Sequence, residues 1–208
     1  MPLAFRSQSP VMGIWKITEP WQEMLDLLQN KTNYAIEVLN IQSENRKCEW
    51  LAVRLLVELL AGSACFVSYK ENGAPFLQNN LYISISHTKG FAAVILSQNA
   101  YPGIDIEYRS ERALKLCGKF LSEHEIALLP ENDITSQATL ATLCWCAKET
   151  AYKALQETGI DFIKHLQIAP FTLCEKGILS LKETKSPNQK TYPIHYQVTE
   201  DYILTWKE

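Results

Sequence analysis

No apolar run in this 208-residue sequence approaches the roughly 18 residues a membrane-spanning helix needs. The opening residues show no basic stretch leading into an apolar one, so no secretory leader is expected. Excess basic charge is missing too: 20 Lys and Arg stand against 23 Asp and Glu, a formal net charge of −3. That argues against broad nucleic-acid binding through a basic surface, though not against a local basic pocket. The six cysteines include no CxxC pair. Cys144 and Cys146 flank Trp145 in a helical pattern, too isolated for a zinc site. The thiols therefore read as ordinary and reduced, and the compartment as cytoplasmic. Neither a strict repeat nor a low-complexity linker divides the chain.

What remains is a globular composition, 47% hydrophobic, over a length that suits one large domain or two small ones. Residues 11–18 alternate like a strand, and 19–30 follow as a helix with Pro20 near its start and Thr18 as a possible cap. The strongest helix of the first half runs over 43–62, with Ser43 to cap it, Gly62 to end it, and Cys48, Leu51, Leu55 and Leu59 as its apolar stripe. Short strands follow at 64–69, 81–86, 91–97 and 101–107, with a turn at "ENGAP". In the second half, 110–121 and 122–129 read as short helices and 136–159 as a long one closed by Gly159. Segments 166–173, 177–183, 191–198 and 201–208 read as an antiparallel meander. The expected class is α+β, with two similar lobes at 1–100 and 101–208. Each lobe would set a long helix on a small, mainly antiparallel sheet.

Three short stretches do not look like packing. In "GIDIE", Ile104 and Ile106 alternate with Asp105 and Glu107, which sets two carboxylates on one strand face. They either face water or present oxygens to a hard cation such as Mg²⁺, which takes few carboxylates and shares itself with phosphate. In "WCAKETAYKAL", Glu149 and Lys153 are i,i+4 on the long helix. They form a surface ion pair, or else Glu149 is a third metal carboxylate and Lys148 and Lys153 face phosphate. Trp145 and Ala154 make that surface partly apolar, which favours a pocket wall. In "ISISHTKG", His87 continues the Ile83–Ile85 face at the strand end. It is a satisfied structural group or a donor to phosphate, with the Ser86 hydroxyl beside it.

The order of these stretches resembles the 4′-phosphopantetheinyl transferase superfamily, in its surfactin-synthetase-activating (Sfp) type. Ser86-His87 corresponds to the family's Ser-His signature and Gly103 to Glu107 to G-[IV]-D-[IL]-E. Trp145 to Lys153 corresponds to W-x-x-K-E-x-x-x-K, and "FLSEHE" to an intervening F-hydrophobic-S-x-x-E stretch ending at Glu125. Arg46 and Arg54 look like the basic residues with which the family's first-lobe helix supports coenzyme A. Cys48 and Glu49 stand where relatives often carry a basic residue. Relatives commonly read G-K-P where this chain has Gly73, Ala74 and Pro75, so one expected phosphate contact is missing while Gly73 and Pro75 still shape a wall near the adenine.

The resemblance implies a single-chain pseudo-dimer and a monomer. It also implies transfer of the phosphopantetheine arm of coenzyme A to a serine of an apo acyl or peptidyl carrier protein, releasing 3′,5′-ADP. Asp105, Glu107 and Glu149 would hold Mg²⁺, with Mn²⁺ also suited to oxygen ligands. Lys153 and Lys148 would take up charge on the leaving phosphate, and Ser86 and His87 would anchor coenzyme A. Glu149 is also the candidate base. The partner supplies the attacking hydroxyl, and no Ser/His/Asp set stands out in this chain. The cleft between the lobes is the expected pocket. Arg109, Arg112, Lys115 and Lys119, with Leu114, Leu116 and Phe120, either dock an acidic carrier or form an ordinary amphipathic helix. Two other readings compete: a Mg²⁺-dependent nucleotide pyrophosphatase or phosphodiesterase with water as acceptor, and a non-catalytic module that binds coenzyme A or carrier protein.

Overall fold

The computed structural model describes residues 3–62, 65–78, 81–131 and 133–208. The chain divides into two compact units, Met1–Pro102 with Glu208, and Gly103–Lys207. Both are mixed α/β with antiparallel sheets. Among the described residues no helix is long and apolar enough to cross a membrane.

The first unit runs β1 (Leu3–Gln8), β2 (Val11–Lys16), α1 (Trp21–Leu27), α2 (Lys31–Leu39), α3 (Glu44–Ala61), β3 (Val67–Tyr69), β4 (Pro75–Leu77), β5 (Tyr82–Thr88) and β6 (Phe91–Ser97). Its main sheet has the order β1-β2-β6-β5, and β3 and β4 form a separate hairpin. At the head of α3, the Ser43 hydroxyl accepts from Arg46 N. At its tail Gly62 takes φ +93°, a conformation side chains with a Cβ resist, so the helix stops there. Leu51 and Leu55 are buried as expected, but Leu59 is only half-buried. Ala52, Val53, Leu56 and Val57 are buried as well, because α3 packs against α1 in addition to β2 and β6. Each fully buried Leu contributes roughly 1.5–3 kcal/mol.

Some local expectations need correction. Pro20, not Thr18, is the N-cap of α1; the Thr18 hydroxyl instead donates to Glu19 Oε2 at 3.2 Å. β1 and α2 carry weak patterns and are held by pairing and packing: β1 has no fully buried residue, and α2 buries only Tyr34 and Val38. The strand expected over 64–69 covers Val67–Tyr69, and Ala64 lies outside the described residues.

The second unit runs β7 (Gly103–Tyr108), α4 (Arg112–Lys115), a 3-10 turn (Cys117–Lys119), α5 (Glu123–Ile126), α6 (Ile134–Leu155), α7 (Phe162–His165), β8 (Leu166–Ile168), β9 (Lys176–Glu183), β10 (Thr191–Val198) and β11 (Tyr202–Lys207). Its sheet has the order β7-β11-β10-β9-β8. Leu143, Cys146, Ala147 and Ala151 of α6 pack on Leu179, Leu181, Ile194 and Ile203 of the sheet. The helix closes earlier than Gly159: Gln156 takes φ 54°, and its side-chain amide donates to Lys153 O at 2.8 Å, satisfying a carbonyl left open by the helix end. In each unit the strand that precedes the long helix pairs antiparallel with that unit's last strand, β2 with β6 and β7 with β11.

Candidate active site

The second unit's site begins with a close approach of backbone to backbone. A Cβ added to Gly103 would lie 2.0 Å from Thr150 O, so only glycine lets β7 come this near α6. The Thr150 and Thr205 hydroxyls meet at 2.7 Å beside the same contact. In the β7–β11 register Asp105 stands opposite Thr205 and Glu107 opposite Ile203. Paired residues share a sheet face, and Ile203 lies in the core under α6. Both carboxylates therefore turn toward the helix, while Ile104 and Ile106 are buried on the other face. The acidic face is not a solvated one: Asp105 is 5% exposed.

The helix answers with Lys153, whose Nζ donates to Asp105 Oδ1 at 2.8 Å and to Ile104 O at 3.1 Å. Lys153 thus pairs with Asp105 and not with Glu149, because the more buried carboxylate has the greater need of a counter-charge. One turn earlier sits Glu149. Burial, above all, pushes its carboxyl from 4.5 up to about 7; the Asp105 and Glu107 charges add to this and Lys153 opposes it. The structure therefore brings Asp105, Glu107, Glu149 and Lys153 within one electrostatic neighbourhood.

In the first unit the end of β5 meets the start of α3. Ile83 and Ile85 pack into the core, and His87 emerges beyond them. Its Nδ1 lies 3.7 Å from Glu49 Oε2 and its Nε2 3.4 Å from Arg46 Nη1. Arg46 Nη1 also donates to Glu49 Oε2 at 3.1 Å. Ser86 is buried in β5 opposite Ala93. Arg54 has a different fate from Arg46: it is 2% exposed, lies 3.6 Å over the Trp50 ring and donates to Trp50 O at 3.3 Å. Its burial lowers its pKa. Gly73, at φ +81°, turns the β3–β4 hairpin. Pro75 opens β4 and lines a cavity of about 430 Å³ with Lys70, Tyr82 and Tyr101. Lys70 was not singled out from the sequence. Its ammonium sits 5.5 Å from the Tyr101 ring, and its backbone N–H donates to Ala74 O across the hairpin.

The family model of the 4′-phosphopantetheinyl transferase superfamily matches residues 101–207, more than half of the chain. The chain belongs to this superfamily. It is 28% identical over 124 residues to a 4′-phosphopantetheinyl transferase, gsp, of Aneurinibacillus migulanus; the alignment covers 59% of this chain and 43% of that protein. The chain thus spans under half the length of this curated relative. The superfamily match takes in Gly103, Asp105, Glu107, Lys148, Glu149 and Lys153, whereas Arg46, Ser86 and His87 lie outside it.

Among the described residues no three His, Cys, Asp or Glu side chains already stand as a metal-binding group; Asp105 is turned to Lys153. The chemistry nevertheless fits a hard dication. The three coupled groups are carboxylates, and Glu149 carries a raised pKa that a nearby dication would bring down.

Lys148 departs from expectation. Successive helix residues point about 100° apart, so Lys148 faces away from Glu149's neighbours. It is fully enclosed and donates to Phe120 O at 2.8 Å, Glu125 Oε2 at 2.8 Å and Phe162 O at 3.0 Å, which uses its three donors. Burial lowers its pKa and Glu125 opposes that. Glu125 also accepts from Ser122 N and Oγ and from Ile168 N, so one buried pair ties α5, α6 and β8 together.

Beside Glu107 opens a cavity of about 350 Å³ lined by Tyr108, Arg112, Leu116, Phe120 and Trp145. The expected amphipathic helix over 110–121 is broken into α4 and the 3-10 turn. Arg112, Lys115, Leu116 and Lys119 are exposed, but Phe120 is buried against Trp145 at a ring distance of 5.1 Å. Arg109 is committed to Thr139 Oγ1 and Thr199 O.

Proposed function

We propose that this protein transfers the 4′-phosphopantetheine arm of coenzyme A to a serine of an apo acyl or peptidyl carrier protein, in a Mg²⁺-dependent reaction that releases 3′,5′-ADP. The observation that carries this reading is the meeting of Asp105, Glu107, Glu149 and Lys153 at the β7–α6 contact, inside the region the superfamily shares. Asp105, Glu107 and Glu149 are the residues to hold the ion. Bound there, Mg²⁺ or Mn²⁺ supplies Lewis-acid and template chemistry to a diphosphate.

In the transfer, the carrier serine oxygen bonds to the phosphorus next to the pantetheine. The bond from that phosphorus to the bridging oxygen breaks, and 3′,5′-ADP leaves with the electron pair. Glu149 receives the serine proton, and the Lys153 ammonium offsets the charge growing on the leaving phosphate. His87, Ser86 and Arg46 anchor coenzyme A phosphates, and Gly73 and Pro75 shape the wall toward the adenine. Arg54 and Lys148, enclosed as they are, act by holding α3 and α6 in place. The exposed Arg112, Lys115, Leu116 and Lys119 dock the acidic carrier. The strand–helix–strand order shared by the two units supports a single-chain pseudo-dimer acting as a monomer, and the proposed compartment is the cytoplasm.

Several apo acyl and peptidyl carriers, each incubated with the protein, coenzyme A and Mg²⁺, test this by mass spectrometry. The expected result is a gain of the phosphopantetheine mass with the native protein and none with Asp105→Ala. Coenzyme A cleaved without any gain on a carrier would mean water is the acceptor. Carrier binding with no gain, unaltered by Asp105→Ala, would mean a non-catalytic module.

A further inference from the structure

We infer that Glu49 competes with a nucleotide phosphate for Arg46 and His87 and so sets how tightly that phosphate is held. The inference rests on the reading of those two side chains as coenzyme A anchors. Glu49 Oε2 lies 3.1 Å from Arg46 Nη1 and 3.7 Å from His87 Nδ1, and Arg46 Nη1 lies 3.4 Å from His87 Nε2. A guanidinium can only donate, so His87 Nε2 is the acceptor in that contact, and the imidazole proton sits on Nδ1, toward Glu49. Arg46 therefore donates to both Glu49 and His87, and the carboxylate stands close to the imidazole without a hydrogen bond to it. The side chain of Glu49 is 16% exposed, against 62% for Arg46 and 39% for His87. The carboxylate is the enclosed member of the set and the two donors are the ones that reach solvent.

A phosphate offers acceptors only. To take it, Arg46 must turn from the imidazole and His87 must present an N–H outward. Glu49 opposes this twice over. It stabilises the ligand-free arrangement by accepting from Arg46 and lying 3.7 Å from His87 Nδ1, and it places a fixed negative charge beside a group that carries about −1.5 to −2. Both effects run in the same direction, so the carboxylate weakens phosphate capture. The released 3′,5′-ADP keeps the nucleotide phosphates of coenzyme A, so the same weakening speeds its departure.

The test is Glu49→Gln in the full chain, with titration calorimetry of coenzyme A and of 3′,5′-ADP. The variant should bind both about two- to fivefold more tightly, the range a partly exposed charge interaction commands, and 3′,5′-ADP should become a correspondingly stronger product inhibitor. The gain should vanish in an Arg46→Ala background, while Glu49→Asp, which keeps the charge, should bind close to the native protein. Equal or weaker binding by a Glu49→Gln protein whose circular dichroism and melting are native overturns the inference. Failure of the native protein to bind either ligand would instead overturn the coenzyme A reading beneath it.

Discussion

The protonation of Glu149 ought to be visible in the stability of the whole chain. Its carboxyl is raised from 4.5 to about 7, chiefly by burial and next by Asp105. The folded protein therefore holds this proton more tightly than the unfolded chain does. Below pH 4.5 the group is protonated in both states and costs nothing. Between 4.5 and about 7 only the unfolded chain ionises, so stability falls as pH rises, and above 7 the full cost is present. That cost is on the order of 3 kcal/mol. For a chain of this size it corresponds to a melting shift of about 6–12 °C. The perturbation is Glu149→Gln, which keeps the shape of the protonated acid and cannot ionise. Melting curves of the native protein and the variant, taken in EDTA from pH 5 to 8.5, should start close together and separate with the variant more stable. Adding Mg²⁺ should then raise the native midpoint more at pH 8 than at pH 6. Parallel curves across the range, or a Mg²⁺ response equal at the two pH values, would refute the placement of Glu149 among like charges.

Other outcomes follow from single contacts. Gly103→Ala drives a methyl group to 2.0 Å from a backbone oxygen of α6, and should lower stability by roughly 1–3 kcal/mol or more in urea titration; an unchanged midpoint would mean β7 and α6 do not touch there. Lys148→Met leaves the Glu125 carboxylate buried without its counter-ion and should cost roughly 3–5 kcal/mol, with Lys148→Met/Glu125→Gln recovering part of it; a single variant as stable as the native protein would contradict the buried pair. Arg112→Glu with Lys115→Glu should raise the KM for an acidic carrier by about tenfold or more while leaving the KM for coenzyme A alone; an unaltered carrier KM removes the docking role.

Much of the fold was legible before any coordinates. The Ser43 cap and Gly62 stop of α3, the long helix α6 and the C-terminal meander all rest on local rules that tertiary packing reinforced. The misses fall where local signal is weak or divided. β1 and α2 have little pattern of their own. The 110–121 segment, expected as one helix, breaks into α4 and a 3-10 turn that contains Gly118. The expected 166–173 strand stops at Ile168, two residues before Pro170, which has no N–H to give to a ladder.

For the site, alternation sets Asp105 and Glu107 on one strand face, and helical spacing sets Glu149 and Lys153 on one helix face. Spacing along the chain does not say which partner a charge will choose, because that depends on groups brought from far away in sequence. Only the folded chain decided that Lys153 turns to Asp105, 48 residues earlier, and that Lys148 turns inward to Glu125, 23 residues earlier. The same holds for Arg46 and His87, which meet over a separation of 41 residues, and for Arg54, which lies buried on Trp50. Local sequence thus determined which charges are present and on which faces, while the desolvation that makes each one pair, shift or close off arose from long-range packing.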